Sequence, residues 1–246
     1  MDVKAEAVRD IVTPIDAATI VLLRDGADGA EVYMTVRAAT MDFQPNALVF
    51  PGGKVSTGDI ALLPNDPLGR FKTAAIRETF EEVGVLLAKR DGQQLTAQDV
   101  AALSVWRKQL VGHSANIDEF GIETGLTFDF DALHLISRWV TPRAMPKRFD
   151  TYFFLARMPE GQVPAPDNYE AVAASWLTPK QALLMSERSE CLLLPPTYWT
   201  LKDLAEYGSV DEAIRGLVRE TVEPVEPVIT KKDGKTTIEV PGRNAH

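Results

Sequence analysis

PGGKVSTGDIALLPNDPLGRFKTAAIRETFEEVGV, residues 51–85, decides how the rest of the chain is read. It opens on Pro51, Gly52 and Gly53, which stop the apolar run at 47–50 and permit backbone geometries closed to other residues. Its far end carries helix punctuation. Asp66 and Pro67 suit an N-cap acceptor followed by proline at the first helical position, and Gly84 suits the stop. The expected helix covers 67–83, and 54–66 reads as loop. At ~100° per residue, Ile76, Thr79, Phe80 and Val83 share one arc, while Glu78, Glu81 and Glu82 fill an arc almost opposite. An acidic outer face is ordinarily solvated charge. Three carboxylates this close repel one another, however, and hard cations such as Mg²⁺ or Mn²⁺ relieve that repulsion through oxygen ligation. Arg77, four residues before Glu81, is spaced to pair with it and orient it.

Outward from this stretch, AATIVLLR (17–24) and EVYMTVR (31–37) surround the turn-forming DGADGA and read as a hairpin. After the acidic helix, 97–111 reads as helix and 112–130 as irregular. HLISRWVTP (134–142) and TYFFLARM (151–158) read as strands flanking the loop RAMPKRFD. ASWLTP ends in a cap before a helix starting near Pro179, and another helix is expected at 197–207. Residues 223–246 suggest a late hairpin or tail. The expected organisation is one domain over 1–222, with insertions at 60–69 and 97–130, followed by that C-terminal segment.

RETFEEVGV matches the helical half of the Nudix signature: glycine, five residues, glutamate, seven residues, then Arg-Glu-apolar-any-Glu-Glu-any-Gly-apolar. Arg77, Glu78, Glu81, Glu82, Gly84 and Val85 match in register, with Thr79 in the apolar slot. Counting from Gly53, the acid falls on Asp59 where the family carries glutamate, and seventeen residues rather than seven separate Asp59 from Arg77. Loop closure costs grow only logarithmically, so ten added residues cost on the order of 1 kcal/mol if the loop ends stay in place. The chain therefore resembles a Nudix hydrolase with an expanded box. TVRAATMDFQPNALVFPGG is similar to the motif that precedes the box in coenzyme A diphosphatases, matching at Thr35, Arg37, Ala38, Phe50, Pro51, Gly52 and Gly53; Asp42 and Asn46 stand where that motif has arginine and glycine. The expanded box and RWVTPRAMPKRFDTYFFLA (138–156) are similar to the peroxisomal acyl-coenzyme A diphosphatase branch.

The resemblance implies an α+β fold, an α/β/α sandwich around a mixed sheet. It implies Mg²⁺- or Mn²⁺-dependent hydrolysis of a diphosphate, most simply that of coenzyme A or an acyl-coenzyme A. ADP-ribose or a dinucleotide is the alternative substrate, and a non-catalytic ligand sensor is the alternative of another class. By the same resemblance Glu78 and Glu82 are the main metal ligands, Glu81 a ligand or the water-activating base, and the Gly53 carbonyl a further ligand. Arg77 orients them, Asp59 gives support from the loop, and Glu170 occupies a region where related enzymes carry another acid. Arg37, Lys54, Lys147 and Arg148 are the candidate phosphate contacts.

Composition narrows the rest. A net charge of −9 argues against general nucleic-acid or anionic-membrane binding, because phosphate would repel the mean field. Cys191 is the single cysteine, which excludes an internal disulfide and fits a reducing cytoplasm. No uncharged apolar run reaches the ~18 residues a bilayer span requires, and the last four residues, RNAH, are not a Ser-Lys-Leu-type address, so a cytoplasmic location is expected. His113, His134 and His246 have no paired metal spacing. The expected partner is a small nucleotide-derived substrate, with no nucleic acid and no membrane; a homodimer stays open.

Overall fold

The computed structural model describes residues 11–37, 47–60, 62–166, 171–232 and 235–243. In chain order the elements are β1 (Ile15–Gly26), β2 (Gly29–Arg37), β3 (Leu48–Val49), β4 (Gly52–Lys54), α1 (Gly69–Val83), β5 (Ala88–Arg90), β6 (Gln93–Gln94), α2 (Ala97–Ala102), α3 (Ser104–Val111), α4 (Ile117–Thr124), β7 (Thr127–Phe128), β8 (His134–Val140), β9 (Phe149–Arg157), β10 (Ala171–Leu177), α5 (Pro179–Glu187), α6 (Pro195–Leu204), α7 (Val210–Leu217), β11 (Pro224–Val225), β12 (Val228–Lys232) and β13 (Lys235–Glu239).

The main sheet runs β10-β2-β1-β9-β8-β11, with β3 on β2 and β4 on β1. It is mixed: β1 pairs parallel with β9 and β11 parallel with β8, while the β1–β2, β2–β10 and β8–β9 pairs are antiparallel. Strand alternation splits the core in two. Ala18, Ile20 and Leu22 of β1 and Phe154 of β9 face Ala75, Ile76, Phe80 and Val83 of α1. Their neighbours Val21, Leu23, Phe153 and Leu155 face Ala182, Leu201, Leu204 and Val210 of α5, α6 and α7. Helices thus cover both faces, which is the expected α/β/α sandwich.

The strand β1 divides its free edge, and that division creates the site. Its C-terminal half pairs with β2, and its N-terminal residues Ala17, Ala18 and Thr19 pair with Lys54, Gly53 and Gly52 of β4. Gly52 has φ +154°, and a Cβ there would lie 2.4 Å from the Ala18 carbonyl oxygen, so only glycine lets the turn close this tightly.

Several expectations shift. The acidic helix begins at Gly69 rather than 67, because Asp66 spends its carboxylate on the Leu68 N–H and on Lys72 Nζ, both at 2.8 Å, in the turn before it. Its end is where Gly84 put it, with φ +65°. The stretch 97–111 is two helices that meet at Leu103, which drops into the core. The supposedly irregular 112–130 contains α4, marked by Glu119 accepting the Asn116 N–H at 3.0 Å and by Gly125 at φ +64°. Strand β10 lies where only a helix cap was read, and α7, started by Ser209, was not anticipated. Past 223, where a hairpin or a tail was expected, the chain first adds β11 to the main sheet and then forms a hairpin, β12 with β13. Among the described residues no helix is long and apolar enough to cross a membrane.

Arg148, expected at the substrate, is instead buried. Its guanidinium donates to the Thr141 carbonyl at 2.8 Å, the Val12 carbonyl at 2.9 Å and Glu226 Oε1 at 2.7 Å, tying the N-terminal approach, the β8–β9 connection and the C-terminal segment together. Breaking a buried charged network by removing one partner costs about 3 kcal/mol. Arg148→Met should lose roughly that much stability in urea denaturation, with the midpoint falling at constant slope.

Candidate active site

The polar face of α1 is not a solvated surface. Glu81 and Glu82 are 7% and 9% exposed and Arg77 is 6% exposed, because β4, the turn at Thr57–Ile60 and α3 cover them. A buried guanidinium needs a partner for each of its five N–H groups, and Arg77 has all five. Its Nε donates to Asp59 Oδ1 at 2.9 Å, and Nη2 donates to Asp59 Oδ2 at 3.0 Å and the Lys54 carbonyl at 2.8 Å. Its Nη1 donates to Glu78 Oε1 at 2.9 Å and Glu81 Oε1 at 3.2 Å. Burial would lower the Arg77 pKa, but the Asp59 hydrogen bonds and the charges of Glu78, Asp59 and Glu81 outweigh it and hold the pKa above its ordinary value.

Asp59 is fully buried and also accepts the Ser56 N–H at 2.7 Å. Its carboxylate is occupied on both oxygens, so its place in the site is that of the clamp on Arg77. A short turn at Thr57–Ile60 brings it there, and of the residues between this turn and α1, Leu62 and Leu68 pack on the core.

The glycine turn meets the helix directly. The Gly52 N–H donates to Glu82 Oε2 at 3.0 Å. A Cβ on Gly53 would fall 2.5 to 2.6 Å from the Glu78 carboxyl atoms, so the bare Cα is what allows that carboxylate to lie over the strand. Burial pushes the Glu81 carboxyl above the usual carboxylate range, against the opposing pull of Arg77 and His113.

These groups floor a cleft of about 850 Å³. Arg37, Lys54 and Lys147 line it with the three glutamates, and among the described residues none of the three cations is in an ion pair. Arg37 Nε is buried with no hydrogen-bond partner among the described residues. Lys147 lies over the Phe149 ring, 5.7 Å from its centroid. Glu170, Asp42 and Asn46 lie outside the described residues. His113, set aside in the sequence for lack of a paired spacing, lines the cleft just past the end of α3 with φ +53°. A non-glycine residue in the left-handed region is the kind of local strain that clusters at functional sites, but it leaves no mark in the sequence. Arg107, also unforeseen, donates to the Glu81 carbonyl at 2.9 Å and the Ala165 carbonyl at 2.8 Å, holding the C-terminal end of α1 from the other side.

The donor set suits a hard divalent cation: carboxylate oxygens on one helix face, beside a carbonyl-bearing glycine turn whose missing Cβ gives Glu78 room. Glu78 and Glu81 both accept from Arg77 Nη1, at 2.9 and 3.2 Å, and Glu82 accepts the Gly52 N–H at 3.0 Å; as they stand, no three acidic, histidine or cysteine side chains among the described residues are grouped closely enough to hold an ion.

The comparisons agree with this architecture. The family model for the NUDT19 Nudix domain matches residues 61–204. The acyl-coenzyme A diphosphatase NUDT19 of Xenopus laevis is 27% identical over 266 residues, covering 86% of this chain and 70% of that protein. The Homo sapiens protein of the same name is 31% identical over 166 residues, covering 63% of this chain and 44% of that one. The crystal structure of a NUDIX hydrolase from Alicyclobacillus acidocaldarius superposes with a TM-score of 0.73 at 29% identity, over 85% of this chain and 98% of that one. A mixed sheet between helix layers, with a glycine turn against an Arg-Glu-Glu-Glu helix, defines a phosphoanhydride hydrolase of one particular architecture. The chain belongs to the Nudix hydrolases, in the NUDT19 Nudix domain family.

Since Arg77 stays charged when buried, removing its clamp strands a cation. Asp59→Ala should cost about 3 kcal/mol in chemical denaturation. Asp59→Asn, which keeps the shape and one acceptor, should cost clearly less in the same measurement.

Proposed function

We propose that this protein hydrolyses the diphosphate bond of coenzyme A or an acyl-coenzyme A, using a divalent cation, Mg²⁺ or Mn²⁺, held by Glu78, Glu82, Glu81 and the Gly53 carbonyl. The observation that carries the reading is one continuous cleft lined by the three glutamates, by apolar side chains, and by Arg37, Lys54 and Lys147, which form no ion pair among the described residues. The coenzyme A assignment draws support from the names of the Xenopus and human relatives.

The cation supplies neutralisation of the diphosphate charge and Lewis-acid polarisation at phosphorus. The chain's own residues supply the rest. Arg37, which lines the cleft and whose buried Nε has no hydrogen-bond partner among the described residues, meets phosphate oxygens with Lys54 and Lys147 through charge-assisted hydrogen bonds. Arg77 and the Gly52 N–H aim the carboxylates before substrate arrives, so little reorganisation is needed at the moment of reaction. Glu81, whose carboxyl is pushed upward by burial, is matched to take the proton of the attacking water at its carboxylate oxygen. The products are adenosine 3′,5′-bisphosphate and phosphopantetheine or its acyl ester. The single cysteine supports a cytoplasmic location.

A second reading, ADP-ribose or a dinucleotide, is favoured by Asp42 and Asn46, which replace an arginine and a glycine of the coenzyme A motif. Turnover of coenzyme A, acetyl-coenzyme A, ADP-ribose and NADH with Mg²⁺ or Mn²⁺, followed by product chromatography, separates the two. Coenzyme A species should be cleaved and chelator should abolish the reaction; cleavage of ADP-ribose with coenzyme A untouched would overturn the first reading. Turnover of none would favour a ligand sensor.

Two substitutions probe the floor. Glu82→Gln should lower kcat at least ~100-fold while circular dichroism and melting stay native. Gly53→Ala should push the Glu78 carboxylate aside and weaken Mn²⁺ binding by about 10- to 100-fold in calorimetric titration, a readout independent of turnover.

A further inference from the structure

We infer that the C-terminal hairpin, β12 with β13, is the wall of the cleft that receives an aliphatic acyl chain of the substrate and so sets chain-length preference. This rests on the coenzyme A reading above and goes beyond it by naming the element that discriminates among thioesters.

Among the described residues the hairpin is a separate two-stranded sheet, with no ladder to the main one. It is held in place from both sides. Before it, Pro224 and Val225 pair with Arg138 and Trp139 of β8, and Glu226 accepts from the buried Arg148 at 2.7 Å. After it, Val240 packs on the α5–α7 core, and Arg243 donates to both carboxylate oxygens of Asp203 at 2.6 and 2.5 Å. A hairpin anchored at both ends is positioned by what it spans.

Ile229 and Ile238 are directly opposed across the two strands, so they share one face, and both line the cleft. The next pair, Thr230 and Thr237, takes the other face and links its hydroxyls at 2.6 Å. Ile238 is 50% exposed, an aliphatic side chain open to the cavity rather than packed away. Met145, Phe149 and Leu194 line the same cavity as the isoleucines, together with the glutamates and Lys54. A nucleobase would require polar partners for its edge, whereas this wall is chiefly aliphatic and offers contact area without directional bonds. The substrate arm that matches such a wall is an acyl chain, for which each buried methylene is worth up to about fourfold in binding.

The test compares kcat/KM for decanoyl-coenzyme A with that for free coenzyme A in the full chain, in Ile229→Ser/Ile238→Ser, and in Ile238→Trp. In the unaltered protein the ratio should favour the long ester; in the serine pair it should fall about tenfold, and Ile238→Trp should shift the optimum to shorter chains. Both isoleucines are partly exposed, and a melting scan checks that the variants fold. A ratio unchanged in both variants, within about twofold, would overturn the inference while leaving the coenzyme A reading intact. A parallel loss on free coenzyme A and its esters would assign the adenosine arm to this wall and overturn it as well. Absence of turnover on every coenzyme A species would sink the reading on which the inference rests.

Discussion

The guanidinium of Arg77 is the constraint on which the rest of the site depends. It is buried, so every N–H must be met, and the five acceptors come from three separate parts of the chain: Asp59 in the loop, the Lys54 carbonyl at the end of β4, and Glu78 and Glu81 on its own helix. Satisfying one side chain therefore sets the distance between the glycine turn and α1. It also explains how a box with ten extra residues keeps its geometry. The insertion lies between Asp59 and the helix, and both of its ends are pinned by the same cation, so the extra length adds loop entropy without moving any anchored atom.

Around that hub the sheet does the positioning. By pairing with β4 at one end and β2 at the other, β1 leaves a gap in the layer where two glycines approach it, and the parallel pairing of β1 with β9 on its other edge brings the β8–β9 connection to the same end of β1. The carboxylates thus arrive on a helix, the turn on a short strand, and the cations on strand ends and a loop. Sites held on rigid elements keep their geometry better than sites held on loops alone. The buried Arg148 fastens the remaining wall by joining the β8–β9 connection to Glu226 of the C-terminal segment.

Much of this was legible in residues 51–85. The helical period placed Glu78, Glu81 and Glu82 on one face, Gly84 marked the stop, and the register of Arg77 against Glu81 named an ion pair that the structure contains. The α4 signature, Asn116 with Glu119 and then Gly125, is local too, but its glycines and acidic residues read equally well as irregular. Other features had no local signal. Arg148 and Lys147 are adjacent and alike in sequence, yet one is buried against backbone carbonyls and the other lines the cleft. Nothing nearby in the chain distinguishes them, since the partners of Arg148 include Val12 and Glu226, 136 and 78 residues away.

The sequence by itself determined the chemistry available: which face of one helix is acidic, where it stops, and which glycines let a strand approach it, because these follow from period, punctuation and the absence of a Cβ. Only the tertiary structure decided that this acidic face is buried rather than solvated, that Asp59 clamps an arginine, and that the last strands of the chain return to wall the cleft. Burial and long-range pairing depend on what covers a residue, and the covering elements come from distant parts of the chain that no local window contains.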